Sequence, residues 1–263
     1  NLPNGLQTIG SSAFYNCDNL SNVSIPDSVT ELGSRAFYNC TRLNEVSLPA
    51  GWTAVLDYSY NSTTYYSEGN GSYQSPFQGC TALTSVTVPE GVTAIPKHAF
   101  RNVQKLESVT LPETLTEVGA YAFDGTGLKS VTLPDSVTAV GNYAFASCKS
   151  LTEAALPNGL NSIGNYGFAY SSGLTEVTIP DSVTSLSENA FRECTGLKKV
   201  TVGSGISKLS RYAFSGCTGL TSVVIPDSVF AISNYAFSGC TNLAVCQIDE
   251  DIFSVGKGAF DGC

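Results

Sequence analysis

The chain predicts an α/β-type repeat solenoid of about eleven coils of 23 residues, with a parallel sheet along one side and short helical, 3₁₀ or irregular segments opposite. Three observations predict it. A Phe, in most copies following Ala, recurs at Phe14, Phe37, Phe77, Phe100, Phe123, Phe145, Phe168, Phe191, Phe214, Phe237 and Phe260; the intervals are 23 residues except for one of 40 and one of 22. A proline marks the same period at Pro3, Pro26, Pro49, Pro89, Pro112, Pro134, Pro157, Pro180 and Pro226, with Gly203 and Asp249 in the two remaining slots. Inside each unit the apolar positions alternate and then turn.

The unit ending at Cys240 shows the cross-section. Leu220, Val223 and Ile225 open it, and the Val-x-Ile part alternates as a strand with one buried face should. Pro226-Asp227-Ser228 turns the chain, because Pro fixes φ and Asp or Ser closes local side-chain turns. Val229 and Ile232 then point inward. Ala236-Phe237-x-x-Cys240 reads as a short helical or 3₁₀ turn on the far side. Strands stacked ~4.8 Å apart make eleven coils roughly 50 Å long. The 40-residue interval holds 17 extra residues, so a single solenoid domain over 1–263 carries a Tyr-rich insertion at about 56–75.

The pattern L-x-x-V-x-I-P-D-S-V-T-x-I-x-x-x-A-F-x-x-C covers essentially the whole chain apart from that insertion. It resembles the BspA-like leucine-rich repeats of bacterial surface proteins. It departs from the better-known leucine-rich repeat, which places Asn or Cys just after the strand, where Pro-Asp-Ser or Pro-x-Gly stands here. No asparagine ladder is therefore expected. The resemblance implies a secreted, extracellular, often cell-wall-attached protein that presents an adhesive binding surface; it implies no one ligand.

Composition excludes several other classes. With 42% apolar and 13% charged side chains the chain is well packed rather than disordered. Asp and Glu number 22 against 13 Lys and Arg, a net charge of −9 that argues against a nucleic-acid-binding face. No apolar run approaches the ~18 residues of a membrane span, and no secretory leader opens the chain. There is one His, and no G-x-S-x-G, G-x-x-x-x-G-K or H-E-x-x-H motif. No enzyme activity, catalytic residue, metal or cofactor is expected.

Eight of nine cysteines (Cys17, Cys40, Cys80, Cys148, Cys194, Cys217, Cys240, Cys263) share one slot, and Cys246 takes the strand position of Val223. Parallel side chains on stacked coils do not aim sulfurs at one another, and the spacing suits no zinc site, so buried free thiols serving as core are predicted. Val103 and Ser171 in the same slot suggest that it wants a small, mostly apolar side chain. The acidic column at Asp27, Glu90, Glu113, Asp135, Asp181, Asp227 and Glu250 is expected to cap its own turns. His98 is expected as an exposed surface residue.

The outward strand columns, such as Thr87, Thr110, Thr132 and Ser85, Ser108, Ser130, form a hydroxyl-rich floor without an aromatic ring. Two aromatic features stand apart. Tyr121, Tyr143, Tyr166, Tyr212 and Tyr235 precede Ala-Phe or its equivalent, and stacking would line up the first three along the outer side. They serve either intercoil packing or a stripe that contacts protein or glycan. The insertion carries Tyr58, Tyr60, Tyr65, Tyr66 and Tyr73, either as tolerated surface loop or as binding loop. Trp52, just upstream, is counted with them, although its slot elsewhere is Val or Leu, which suits a core residue anchoring the loop's base.

Three functions remain: a non-catalytic module binding an extracellular protein on host or neighbouring cells, a carbohydrate-binding module using the insertion, or a passive spacer. Both termini fall inside a repeat. The natural chain is therefore expected to continue at one or both ends, and this piece to self-associate end to end.

Overall fold

The computed structural model describes residues 2–56, 74–248 and 251–263. These form twenty-one strands of two or three residues, joined in parallel pairs. The strands that precede the proline turns, from Asn22–Ser24 to Val245–Gln247, are the expected ones. In Ser130–Thr132 the central Val131 is buried between two exposed neighbours, and it aligns with Ala154 of Glu153–Ala155. Only one sheet was expected, but there are two faces of strand. After each proline turn a second strand forms, as in Glu117–Val118, Ala139–Val140 and Ser162–Ile163, which pair in register. Strands this short show too little alternation to register as a period.

The Phe side also differs from expectation. No helix forms among the described residues; the segment is a ladder of turns. Around Phe123, successive N–H groups point in alternate directions. Tyr121, Phe123 and Gly125 donate to Asn142, Ala144 and Ala146 of the next coil at 2.8–2.9 Å. Ala122, Asp124 and Thr126 donate within their own coil to Gly119, Tyr121 and Phe123. An α-helix would need every donor to reach back four residues in its own segment. Two left-handed residues per coil, here Tyr121 (φ 57°) and Gly125 (φ 69°), also exclude it.

Side chains lock the stack in the same way. The Phe rings overlap coil on coil from Phe14 to Phe260, and centroids lie 5.0 Å apart at Phe14–Phe37 and 5.9 Å at Phe77–Phe100. Every cysteine of the column after Cys17 donates to the Phe carbonyl of the preceding coil, as Cys194 to Phe168, Cys217 to Phe191 and Cys240 to Phe214, these three at 3.2 Å. Ser171 makes the same bond to Phe145 at 2.8 Å. The slot thus favours a small donor, rather than merely a small apolar group. All nine thiols are free; Cys17 and Cys246 are half-buried and Cys263 is exposed. Burial pushes Cys80, Cys148, Cys194 and Cys240 up to about 12.

Among the described residues, one junction lacks the strand pairing and the direct turn bonds. Between the coil of Phe77 and that of Phe100, neither strand face pairs: Glu45–Ser47 and Ser85–Thr87 lie in separate sheets, as do Ala54–Leu56 and Ala94–Ile95. Two prolines account for much of this. Pro96 has no N–H at the slot where Gly119, Gly141 and Gly164 donate to the preceding coil at 2.8–2.9 Å. Pro76 disfavours a helical-type backbone at the residue before it. Ser75 accordingly does not adopt the left-handed conformation of Arg35 (φ 59°) and His98 (φ 62°) in the same slot. Phe77 N–H turns instead to Ser75 Oγ (3.0 Å), which relays to Ala99 C=O (2.7 Å). A hydroxyl has been inserted into the ladder. The buried Trp52 ring bridges the junction edge-on, 6.3 Å from Phe77 and 5.8 Å from Phe100.

Two outcomes follow from the stack. Phe168→Ala is expected to cost about 3–5 kcal/mol in urea unfolding; an unchanged midpoint would contradict the ring column as core. Cys80, Cys148, Cys194, Cys217 and Cys240 should stay unmodified by a thiol reagent at mildly alkaline pH and react in concentrated urea. Rapid native labelling would contradict the thiol ladder.

Candidate functional site

The left-handed slot before Ala-Phe builds the most distinctive surface. Tyr121, Tyr143, Tyr166, Tyr212 and Tyr235 have φ of 56–59°, a conformation that costs an L-residue roughly 1–2 kcal/mol. Each is half-buried. His98, Tyr121, Tyr143 and Tyr166 form one run, with successive centroids 4.9, 4.6 and 4.6 Å apart and planes within 12°. Their faces cover one another, so the solvent meets mainly edges and hydroxyls. Tyr170 extends the run at 6.3 Å from Tyr166. Asn189, buried, interrupts it, and Tyr212–Tyr235 make a second pair at 5.1 Å.

Arginines line the ledge. Arg101 lies 4.7 Å above the Tyr121 ring centre and bridges to Asp124 at 3.1 Å. Arg211 and Arg192 approach Tyr212 at 4.9 and 5.4 Å, and Arg192 also donates to Asn189 Oδ1. Burial, then the neighbouring phenols Tyr121, Tyr166 and Tyr170, push Tyr143 up to about 12. His98 is not the exposed residue expected. It is half-buried against Tyr121, and burial, then Arg101 and Lys97, lower it to about 4. The arginines and Tyr170 escaped sequence reasoning. Arg101 and Arg192 meet their rings, Tyr121 and Tyr212, only across coils, and Tyr170 fills a slot usually given to Gly, Asn or Ser.

The other candidates are placed differently. Trp52 is a core residue, 3% exposed, with Nε1 donating to Ala54 C=O at 2.9 Å; it offers a ligand no surface. Tyr58, Tyr60, Tyr65, Tyr66 and Tyr73 lie outside the described residues. Glu250 lies outside the described residues; the rest of the acidic column does not cap its own turns as expected, since backbone bonds such as Val183 N–H to Pro180 C=O close them. Asp27 and Asp181 instead accept from Ala50 and Ser204 of the next coil at 3.1 and 2.7 Å, and the Ser204 N–H holds the Asp181 carboxyl below its ordinary range. The preceding coil is held by the adjacent hydroxyl: Ser182 donates to Leu160 C=O and Ser228 to Ile206 C=O. No group of three or more metal-ligating side chains gathers among the described residues. The strand floor is exposed, with a shallow depression of about 500 Å³ over Ala154, Ala155, Glu153 and Glu176.

Stacked parallel strands, a turn ladder and a laterally displayed side-chain column define a leucine-rich-repeat solenoid. The chain belongs to the BspA-type family. That family's model, described as a BspA type leucine rich repeat region, matches in six copies over residues 1–70, 72–195 and 161–263. Among solved structures it is similar to a leucine-rich repeat protein from Bacteroides ovatus, at 25% identity over 98% of this chain and 80% of that one, with a TM-score of 0.54. It is also similar to a leucine rich cell surface protein from Faecalibacterium prausnitzii, at 30% identity over 98% and 81%, TM-score 0.50. A leucine-rich repeat protein from Eubacterium ventriosum shares the fold at 19% identity over 99% and 81%, TM-score 0.57. No curated protein matches the chain. No helix among the described residues is long and apolar enough to cross a membrane.

The His98 environment has a pH signature. Its folded value of about 4 lies below the ordinary 6.5, so the unfolded chain takes up the proton first. The stability it contributes is complete above 6.5 and is lost as pH falls from there toward 4. His98→Tyr, the residue of neighbouring coils, should flatten that part of the stability–pH curve in thermal melts. Identical curves for the two proteins would refute the assignment.

Proposed function

We propose that this is a non-catalytic recognition module of a bacterial surface protein, and that the ledge from His98 to Tyr170 contacts an extracellular protein partner. One observation carries the reading: the rings are stacked face on face, leaving edges and hydroxyls outward beside the Arg101 guanidinium. Sugar stacking needs open aromatic faces, and the ledge keeps its faces covered; phenol edges with Arg are the chemistry of protein interfaces. Asn189 occupies the same slot in its own coil, so closing a coil does not require Tyr there. Membership of a family of surface repeat proteins supports the location.

The test is binding of the wild-type chain and a Tyr121→Ser/Tyr143→Ser/Tyr166→Ser variant to immobilised extracellular-matrix proteins. A bound partner should lose about 2 kcal/mol or more of affinity in the variant. Equal binding by both, or silence across the matrix panel with an intact fold, would refute the ledge and favour a spacer.

A further inference from the structure

The junction without ladders opens a second site, on the turn side and apart from the ledge. A depression of about 180 Å³ lies there, between Tyr38, Gln78 and Gly79 below and Asn102, Gln104 and Lys105 above. Its opening follows from the inserted Ser75 hydroxyl. In flanking coils the fourth residue of the ladder bonds onward, Asn39 to Gln78 at 2.9 Å and Asn102 to Asp124 at 2.7 Å. The equivalent bond from Gly79 is missing. Gly79 (φ 82°) also places no side chain where Asn39 and Asn102 have theirs. The same junction shows a wide Phe spacing, 5.9 Å at Phe77–Phe100 against 5.0–5.5 Å at Phe14–Phe37, Phe37–Phe77 and Phe168–Phe191.

The lining has a definite chemistry. Gln78 Oε1 is buried with no hydrogen-bond partner, and a buried polar atom left unpaired calls for a donor. Tyr38 supplies an aromatic wall, backed by Tyr15 stacked 5.0 Å away. Asn102 and Gln104 add amides, which can pair with hydroxyls as donor and acceptor at once. Lys105 is the sole charged residue in the lining. An aromatic wall with three amide side chains in the lining suits an alcohol-rich ring better than an anion or an apolar group. We propose that this gap binds a single neutral sugar residue, whose hydroxyl donates to Gln78 Oε1.

The experiment is saturation-transfer NMR titration of the chain with glucose, galactose, N-acetylglucosamine and glucuronic acid. Wild type, Gln78→Leu, Gln104→Ala and, as a ledge control, Tyr143→Ser are compared, with thermal melts checking each fold. At least one neutral sugar should bind with a Kd of about millimolar. Gln78→Leu should weaken it about tenfold, the scale of one buried hydrogen bond, Gln104→Ala should weaken it measurably, and Tyr143→Ser should leave it unchanged. No saturable neutral sugar, binding of glucuronic acid alone, or equal binding by a folded Gln78→Leu protein would each overturn the site. A failure here leaves the ledge reading standing, because its test uses different residues and different partners.

Discussion

A single coil of this protein cannot satisfy its own backbone. On the turn side every second N–H leaves for the next coil, and along the strand faces donors leave in both directions, Val88 to Thr110 of the next coil and Glu107, Thr116 and Gly119 to Thr84, Thr93 and Ile95 of the preceding one. Everything else depends on that division of donors. The repeat length stays close to 23 because a change would misplace the donors on all faces together. Where one residue is dropped, between Phe123 and Phe145, the turn ladder is kept, and Ser108–Thr110 and Ser130–Thr132 fall into separate sheets. Side chains repeat the rule, with cysteines and serines donating to an adjacent coil and Asp27 and Asp181 accepting from one.

The same division sets where strain is held and what faces outward. Turning alternate donors outward uses left-handed residues, and two such positions recur in every coil but that of Phe77, where Ser75 departs. One is filled mostly by Gly, Asn or Ser, which tolerate it, the other by Tyr in five coils. Stacking offsets part of that cost, about 0.5–1.5 kcal/mol for an aromatic pair. The ledge is thus a by-product of the ladder that side-chain choice has made into a surface.

Much of this was legible in the chain. Phe and Pro spacing located the coils, Val-x-Ile located the first strand and its exposed columns, and the cysteine slot announced buried thiols. The helix and the acidic caps failed for one reason: their partners lie in the adjacent coil, not in their own unit. Ala-Phe-x-x-Cys looked helical and Asp after Pro looked like a local cap, because both are correct for an isolated segment. In the stack the helix donors and the Asp27 and Asp181 carboxylates are claimed by the next coil. The recurrent Asn39, Gly79, Asn102, Gly125, Gly216 and Gly239 were a signal of left-handed backbone that periodicity in hydrophobicity does not capture. Nothing comparable marked Tyr170 or the arginine contacts.

In a stack of repeats the weakest interface decides how far cooperativity extends. The junction at Pro76 and Pro96 keeps its apolar contacts through Trp52 and the Phe column, yet among the described residues it gives up backbone bonding on both strand faces and part of the turn ladder. The chain therefore divides energetically into a shorter block preceding that junction and a longer one following it, each free to open while its neighbour holds. Under tension along the axis the rod would part there first, with the indole as the last tether between the two blocks.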